Sequence, residues 1–152
     1  MHILRAEKGY IIVGQETDGS VSPLDLGLSG LVDSNKNDFI GKVGLELPDM
    51  KRPDRLQLVG LLPEDPNSVI PEGAQLVANP DHSSHKAHSP AIGYVTSSYY
   101  SPSLNRSFAL ALLMRGRDRH DELISAVAEN MTISAKVTAP VFLDMEGARL
   151  RG

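Results

Sequence analysis

Cysteine and tryptophan are both missing from the 152 residues, and aromatic residues make up only 5 %. Without cysteine there is no disulfide, no thiolate metal site and no cysteine nucleophile. Nothing here requires an oxidising compartment, and the cytoplasm is the expected setting. No stretch of about 18 apolar residues occurs, so no membrane span is expected. The first ten residues carry charge at Arg5, Glu7 and Lys8 around a very short apolar core, so a secretory leader is not expected here. A basic excess is lacking too. The net charge is −4, and a nucleic-acid binder normally shows a basic face. Gly-x-Gly-x-x-Gly and Walker patterns do not occur, so no flavin or nicotinamide site is expected within the chain.

What is present is turn punctuation. Thirteen Gly and ten Pro break up a chain that is 41 % hydrophobic and 22 % charged, a composition that excludes gross disorder and suggests a strand-rich fold. A chain this long can bury a core without staples. No repeat or low-complexity segment is seen. Met1 opens almost directly into a patterned, charged segment, as if inside a longer chain.

Residues 48–55 hold two prolines and five charges, a composition break that reads as a linker between residues 1–47 and 56–152. In the first part, Tyr10–Val13 reads as a short buried strand. Asp18-Gly19 reads as a turn, and Leu24–Val32 as a short or broken helix weakened by Gly27 and Gly30. Asp38 reads as the N-cap of another short helix. The second part reads as strands at Leu56–Leu62, Ala74–Ala78, Ile92–Ser98, Ser107–Met114, Leu123–Ala128 and within Thr132–Leu143. Turn signals every ~8–15 residues favour a small antiparallel barrel or sandwich. The Ala- and Leu-rich runs 107–114 and 120–130 compete as helices.

Three constellations invite chemistry. His82, His85 and His88 offer imidazoles at three-residue spacing, a donor set that suits zinc or nickel. Pro80, Ser83, Ser84, Ser89 and Pro90 make the stretch a polar surface loop, and no metal site is assigned. Ser97, Ser98, Ser101, Ser103 and Ser107 lie in no Gly-x-Ser-x-Gly elbow, and read as strand, tight corner, strand, with hydroxyls satisfying turn backbone. No catalytic residue is assigned. In Leu4–Tyr10, an extended backbone would put Arg5 and Glu7 on one face. There Arg5 is either a surface ion pair with Glu7 or a planar fork presented to a carboxylate or heterocycle.

LRAEKGYIIVGQETDGSVSPLDLGLSGLV, DFIGK, LVGLL and GYVTSSYYSPSLNRSFALALL resemble the aminomethyltransferase (glycine-cleavage T-protein) family over nearly the whole chain, from Ile3 to Gly152. The ending APVFLDMEGARLRG and the opening LRAEKGYIIVGQ are closer to the alpha subunits of bacterial heterotetrameric sarcosine oxidases. The resemblance implies a mainly β, β-rich α+β chain. Residues 1–47 would be the incomplete tail of a T-protein-like tetrahydrofolate-binding domain, 48–55 a linker, and 56–152 a Greek-key-like antiparallel β-barrel. Arg5 is implied to help bind folate, with Glu7 and Tyr10 in the same candidate set and Glu7 more a structural member. Val13 stands where the family often carries Tyr, and Lys42-Val43 where sarcosine oxidases often carry Lys-Arg. The parent activity implied is oxidative demethylation of sarcosine, with tetrahydrofolate capturing the one-carbon unit and a flavin held elsewhere in the complex. Partners implied are folate and the other oxidase subunits. Two alternatives stand beside this: a non-catalytic assembly module, and the T-protein-like domain of another flavin demethylase such as a dimethylglycine oxidase. The acidic residue credited with activating the folate amine lies upstream in the family and has no counterpart here. The isolated chain is therefore expected to be inactive, to bind folate weakly, and to self-associate through uncovered apolar surface.

Overall fold

The computed structural model describes residues 1–78 and 90–151; the His82, His85 and His88 cluster lies outside them. Six described strands close into an antiparallel barrel: β1 (Leu56–Pro63), β2 (Gln75–Ala78), β3 (Gly93–Ser101), β4 (Arg106–Met114), β5 (Leu123–Ala128) and β6 (Met131–Thr138). Their order around the barrel is β1-β4-β3-β2-β5-β6, and β6 pairs back to β1. Closure removes the unpaired edges that an open sheet of this size would expose. Three short helices are added: α1 (His2–Glu7), α2 (Lys42–Glu46) and α3 (Ala148–Arg151). Among the described residues no helix is long and apolar enough to cross a membrane.

Strand β4 decides the packing. Its run Phe108–Leu113 is buried at every position. Side chains alternate along a strand, so a continuous apolar run means that both faces are covered. Ala109, Ala111 and Leu113 fill the barrel with Val59, Leu61, Leu76, Ile124 and Val137. Phe108, Leu110 and Leu112 point outward into a second core with Ala6, Leu26 and Leu58, flanked by Ile3, Ile11, Tyr99 and Phe142. The N-terminal segment thus forms the lid of the outer core. The helical alternative for 107–114 and 120–130 fails because cross-strand pairing and two-sided burial outweigh the helix propensity of Ala and Leu. Glycine is required where chains approach closely. A Cβ on Gly60 would lie 2.5 Å from the Ala139 carbonyl and 2.6 Å from the Phe142 ring, and one on Gly93 would collide with the Leu112 carbonyl.

Several local expectations change. Tyr10–Val13 is not a strand: Val13 makes one isolated bridge, to Thr17, and is 87 % exposed. No neighbouring strand is available there, and the Ile12 N–H is taken by the Glu16 carboxylate. Asp38 caps nothing helical; α2 begins at Lys42 after Gly41, which stands in the left-handed region at φ 95°. Leu24–Val32 is broken as expected, with one 3-10 turn at Ser29–Leu31. The last strand stops at Thr138, before Pro140. No residue from Gly27 to Gln57 is buried, and Leu31, Ile40 and Val43 stand exposed along this arm.

The arm returns to the barrel at Asp25 and Arg55. Arg55 Nε donates to both Asp25 carboxylate oxygens at 3.0 Å and Nη2 to Oδ2 at 2.7 Å. Ser22 donates its N–H and hydroxyl to Oδ2 at 2.8 Å, and the Leu58 N–H at the start of β1 donates to the Asp25 carbonyl. Burial pushes the Asp25 carboxyl up, but the Arg55 and Ser22 hydrogen bonds hold it, on balance, below the ordinary carboxylate value. The folded state therefore binds the Asp25 proton less readily than the unfolded chain does. The stability this contributes is complete above about pH 5 and is lost as pH falls through the lowered folded value. Asp25→Asn is expected to cost about 3–5 kcal/mol at pH 7, because Arg55 loses its buried partner. Urea midpoints measured from pH 7 down to pH 3 check this; equal midpoints at pH 7, or equal acid slopes for the two proteins, contradict it.

Candidate functional site

The Arg5–Tyr10 run is helical up to Glu7, which settles the first ambiguity. Two residues apart on a helix, Arg5 and Glu7 face different directions, and they do not pair. Each residue of the run instead meets its own part of the barrel side. Ala6 is buried in the outer core. The buried Glu7 carboxylate accepts the Ser101 hydroxyl, and its carbonyl accepts the N–H groups of Phe142 and Leu143 at 2.9 and 3.0 Å. The Lys8 ammonium donates to the Asp144 carbonyl and, at 3.2 Å, to its carboxylate. Gly9 has φ 74°, and a Cβ there would lie 2.6 Å from the Pro140 carbonyl. Helix α1 is thereby fastened to β3 and to the segment that follows β6.

Arg5 sits at the centre. Its Nη1 donates to Glu16 Oε2 at 2.9 Å and to the Tyr10 carbonyl at 3.0 Å. Nη2 reaches Ser97 Oγ at 2.7 Å, Gln15 Oε1 at 3.0 Å and the Tyr99 hydroxyl at 3.2 Å. The guanidinium carbon lies 5.8 Å from the centre of the Tyr99 ring, within cation–π range. Nε is buried without a partner. Both Nη groups are thus engaged within the chain and Nε is buried; the ion-pair partner of Arg5 is Glu16, not Glu7.

Glu16 is the other half. It is 0 % exposed, and its Oε1 accepts the Ser97 hydroxyl at 2.5 Å and the Thr96 hydroxyl at 3.0 Å. Its Oε2 accepts the Ile12 N–H at 2.7 Å as well as Arg5. Burial pushes this carboxyl up, but the Ser97, Ile12 and Thr96 hydrogen bonds and the Arg5 charge bring it below its ordinary value. A regular strand would aim residues 96 and 97 at opposite faces. A β-bulge between Val95 and Ser97 breaks that alternation, and both hydroxyls reach one carboxylate. The expectation that these hydroxyls serve turn backbone holds at Ser101, whose Oγ accepts the Leu104 N–H, and fails at Ser97, whose hydroxyl goes to Glu16. Nothing local in the sequence marks Glu16, because Thr96 and Ser97 lie about eighty residues away.

Of the three candidate ligand residues, Arg5 and Glu7 are occupied within the chain and Tyr10 is 59 % exposed. Arg5 grips the Tyr10 backbone twice, since the Tyr10 N–H also donates to the Arg5 carbonyl at 2.8 Å. The Tyr10 side chain borders an open groove of about 300 Å³ with Leu4, Lys8, Leu143, Asp144 and Arg149. Among the described residues no group of three or more His, Asp or Glu is placed to hold a metal ion.

Comparison with known proteins sets this geometry in context. Residues 57–144 match the family described as the glycine cleavage T-protein C-terminal barrel domain. Sarcosine oxidase subunit alpha of Corynebacterium sp. (strain U-96) is 43 % identical over 152 residues, covering 100 % of this chain and 16 % of that protein. The same subunit of Rhizobium meliloti (strain 1021) is 37 % identical, covering 99 % of this chain and 15 % of its own length. An aminomethyltransferase of Thermoanaerobacter sp. (strain X514) is 30 % identical over 139 residues, covering 91 % of this chain and 35 % of that enzyme. The crystal structure of glycine cleavage system aminomethyltransferase T from Bartonella henselae aligns with a TM-score of 0.75 at 24 % identity, over 93 % of this chain and 37 % of that one. This likeness concerns the fold. The chain thus spans about 16 % of the sarcosine oxidase alpha subunit it matches.

The Arg5–Glu16 pair generates a stability prediction. Arg5→Ala leaves a buried, unpaired carboxylate and is expected to cost about 3–5 kcal/mol. Arg5→Lys is expected to recover only part of this, because an ammonium cannot reproduce the planar fork shared among Glu16, Gln15, Ser97 and Tyr99. Urea unfolding of the three proteins checks it; a Lys variant as stable as the parent would show that the fork geometry is irrelevant.

Proposed function

The chain belongs to the glycine cleavage T-protein C-terminal barrel family, and from that membership we propose that it is the C-terminal, aminomethyltransferase-like region of a sarcosine oxidase alpha subunit. The observation carrying this is the end-to-end match at 43 % identity to such a subunit, against 30 % over a shorter span for an aminomethyltransferase. In this reading residues 1–47 are the last part of a folate-binding domain, 48–55 the linker and 56–152 the barrel. The parent enzyme would convert sarcosine to glycine, with the one-carbon unit leaving as methylene-tetrahydrofolate. Tetrahydrofolate supplies the acceptor for that unit, and the flavin belongs to the rest of the complex.

The groups in this chain fit a framing role. With Arg5 and Glu7 engaged internally, Tyr10 is the member of the candidate set free to touch folate; Arg5 holds its backbone, and Glu7 anchors α1 to β3. Framing matters chemically because holding two reactants in a fixed orientation supplies a large share of a rate enhancement. The pterin pocket itself would come from the upstream part of the longer protein, and the other oxidase subunits would be its partners.

Pure chain given sarcosine, tetrahydrofolate and oxygen is expected to release no hydrogen peroxide, and calorimetry is expected to find no micromolar tetrahydrofolate site. Peroxide above the enzyme-free control, or micromolar binding abolished by Arg5→Ala, would overturn the framing role. The reading of the chain as part of an oxidase subunit is tested by intact-mass measurement of the protein purified from its source. A mass several times 16.4 kDa, with flavin in the same complex, is expected. A stable, flavin-free native species of 16.4 kDa would contradict it.

The exposed arm favours an assembly role alongside. Leu31, Ile40 and Val43 form apolar surface on a stretch with no buried residue. Light scattering is expected to show concentration-dependent self-association of the isolated chain, reduced by Ile40→Asp. A monomer at all concentrations would contradict this.

A further inference from the structure

We infer that Glu16 is the positioning residue of this edge: its buried carboxylate gathers Arg5, the Ile12 amide and the Thr96 and Ser97 hydroxyls, and so fixes the loop that presents Tyr10.

A carboxylate with no exposed surface is costly unless it is paired and hydrogen-bonded. Glu16 meets that demand with four donors from three separate places: the N-terminal helix, its own loop and β3. The loop between Tyr10 and Gln15 has neither a helix nor a strand of its own, and apart from the packing of Ile11 on the outer core it depends on these polar contacts. The loop is closed from both ends by the same pair. Arg5 holds the Tyr10 carbonyl, and Glu16 holds the Ile12 N–H two residues later. Tyr10 is therefore fixed at its backbone while its ring remains free for contact.

The bulge in β3 is a second, independent sign of this role. It interrupts the pairing of β3 with β4 next to Thr96. The interruption brings two hydroxyls, otherwise on opposite faces, to the same carboxylate. Ser97 also accepts from Arg5 while donating to Glu16, which closes a ring of charge-assisted hydrogen bonds. Substitution at Glu16 should thus free the loop and leave the barrel intact, because the barrel core packs without it.

The relevance of Tyr10 to folate rests on the reading proposed above; the role of Glu16 toward the loop does not. Both are addressed by amide exchange and chemical shifts recorded by NMR on the full 152-residue chain. In Glu16→Gln, exchange at the Ile12 amide is expected to rise at least tenfold more than at the amides of β1 and β4, whose exchange follows the global stability. Unchanged Ile12 exchange, or an equal rise throughout the barrel, overturns the inference. If Glu16→Gln does not fold, Ser97→Ala serves instead, with a rise at Ile12 expected to be about threefold larger than at β1; no such difference overturns the inference equally. Millimolar 5-formyltetrahydrofolate is then added to the parent chain. Shifts at Tyr10 that disappear in the Glu16 or Ser97 variant support positioning toward folate. Shifts that persist unchanged in a variant with a freed loop refute it. Absence of shifts in the parent counts against the folate reading alone, because the exchange measurement has already decided the role of Glu16.

Discussion

Phe108, Leu110 and Leu112 point out of the barrel, and the rest of the molecule follows from the need to cover them. The same strand sends Ala109, Ala111 and Leu113 into the barrel interior. A strand apolar on both faces cannot sit at the surface of a soluble barrel without exposing a large patch. The N-terminal segment is the cover, through Ala6, Ile11, Val21 and Leu26. Its small apolar area alone would leave the angle of docking loosely defined. Polar groups on either side of the contact define it.

Those polar groups are used at two levels. Glu7 and Lys8 fasten helix α1 to the segment after β6 through backbone carbonyls and one ion pair, and Gly9 lets the two approach closely. Arg5–Glu16 and Arg55–Asp25 are buried ion pairs that join distant parts of the chain. Buried pairs contribute little net stability compared with apolar replacements, but breaking one partner is expensive. Their effect here is to specify geometry. Arg55 grips Asp25 through two nitrogens, and Arg5 divides its donors among Glu16, Gln15, Ser97 and Tyr99, so the loops at 10–16 and 20–25 are held in one position relative to β3 and β1.

Much of the architecture was legible from local pattern. Leu56–Pro63 and Leu123–Ala128 are strands within a residue of where β-rich composition and turn residues place them. Asp18-Gly19 does form a turn, with Asp18 accepting the Ser20 N–H. Tyr10–Val13 was misread because β-branched residues favour extended backbone only where a partner strand exists, and none does. The candidate site was legible in part. The Arg5–Glu7–Gly9 spacing drew attention to the right segment, but it suggested a pairing between neighbours on one extended face. The helical backbone of α1 separates those two side chains.

The sequence by itself determined a cysteine-free, turn-rich barrel with an N-terminal motif belonging to a known family. These properties depend on residues close together in the chain or on composition, and both can be read without knowing the fold. Only the tertiary structure decided which groups the motif's side chains meet. Whether Arg5 is a free fork or an internal clamp depends on Glu16, Ser97 and Tyr99. Strand β3 lies within hydrogen-bond reach of residue 5 only in the packed structure, where α1 covers the outer face of the barrel. Long-range closure of this kind leaves no period or spacing in the sequence, because the interacting groups are matched in space and not along the chain.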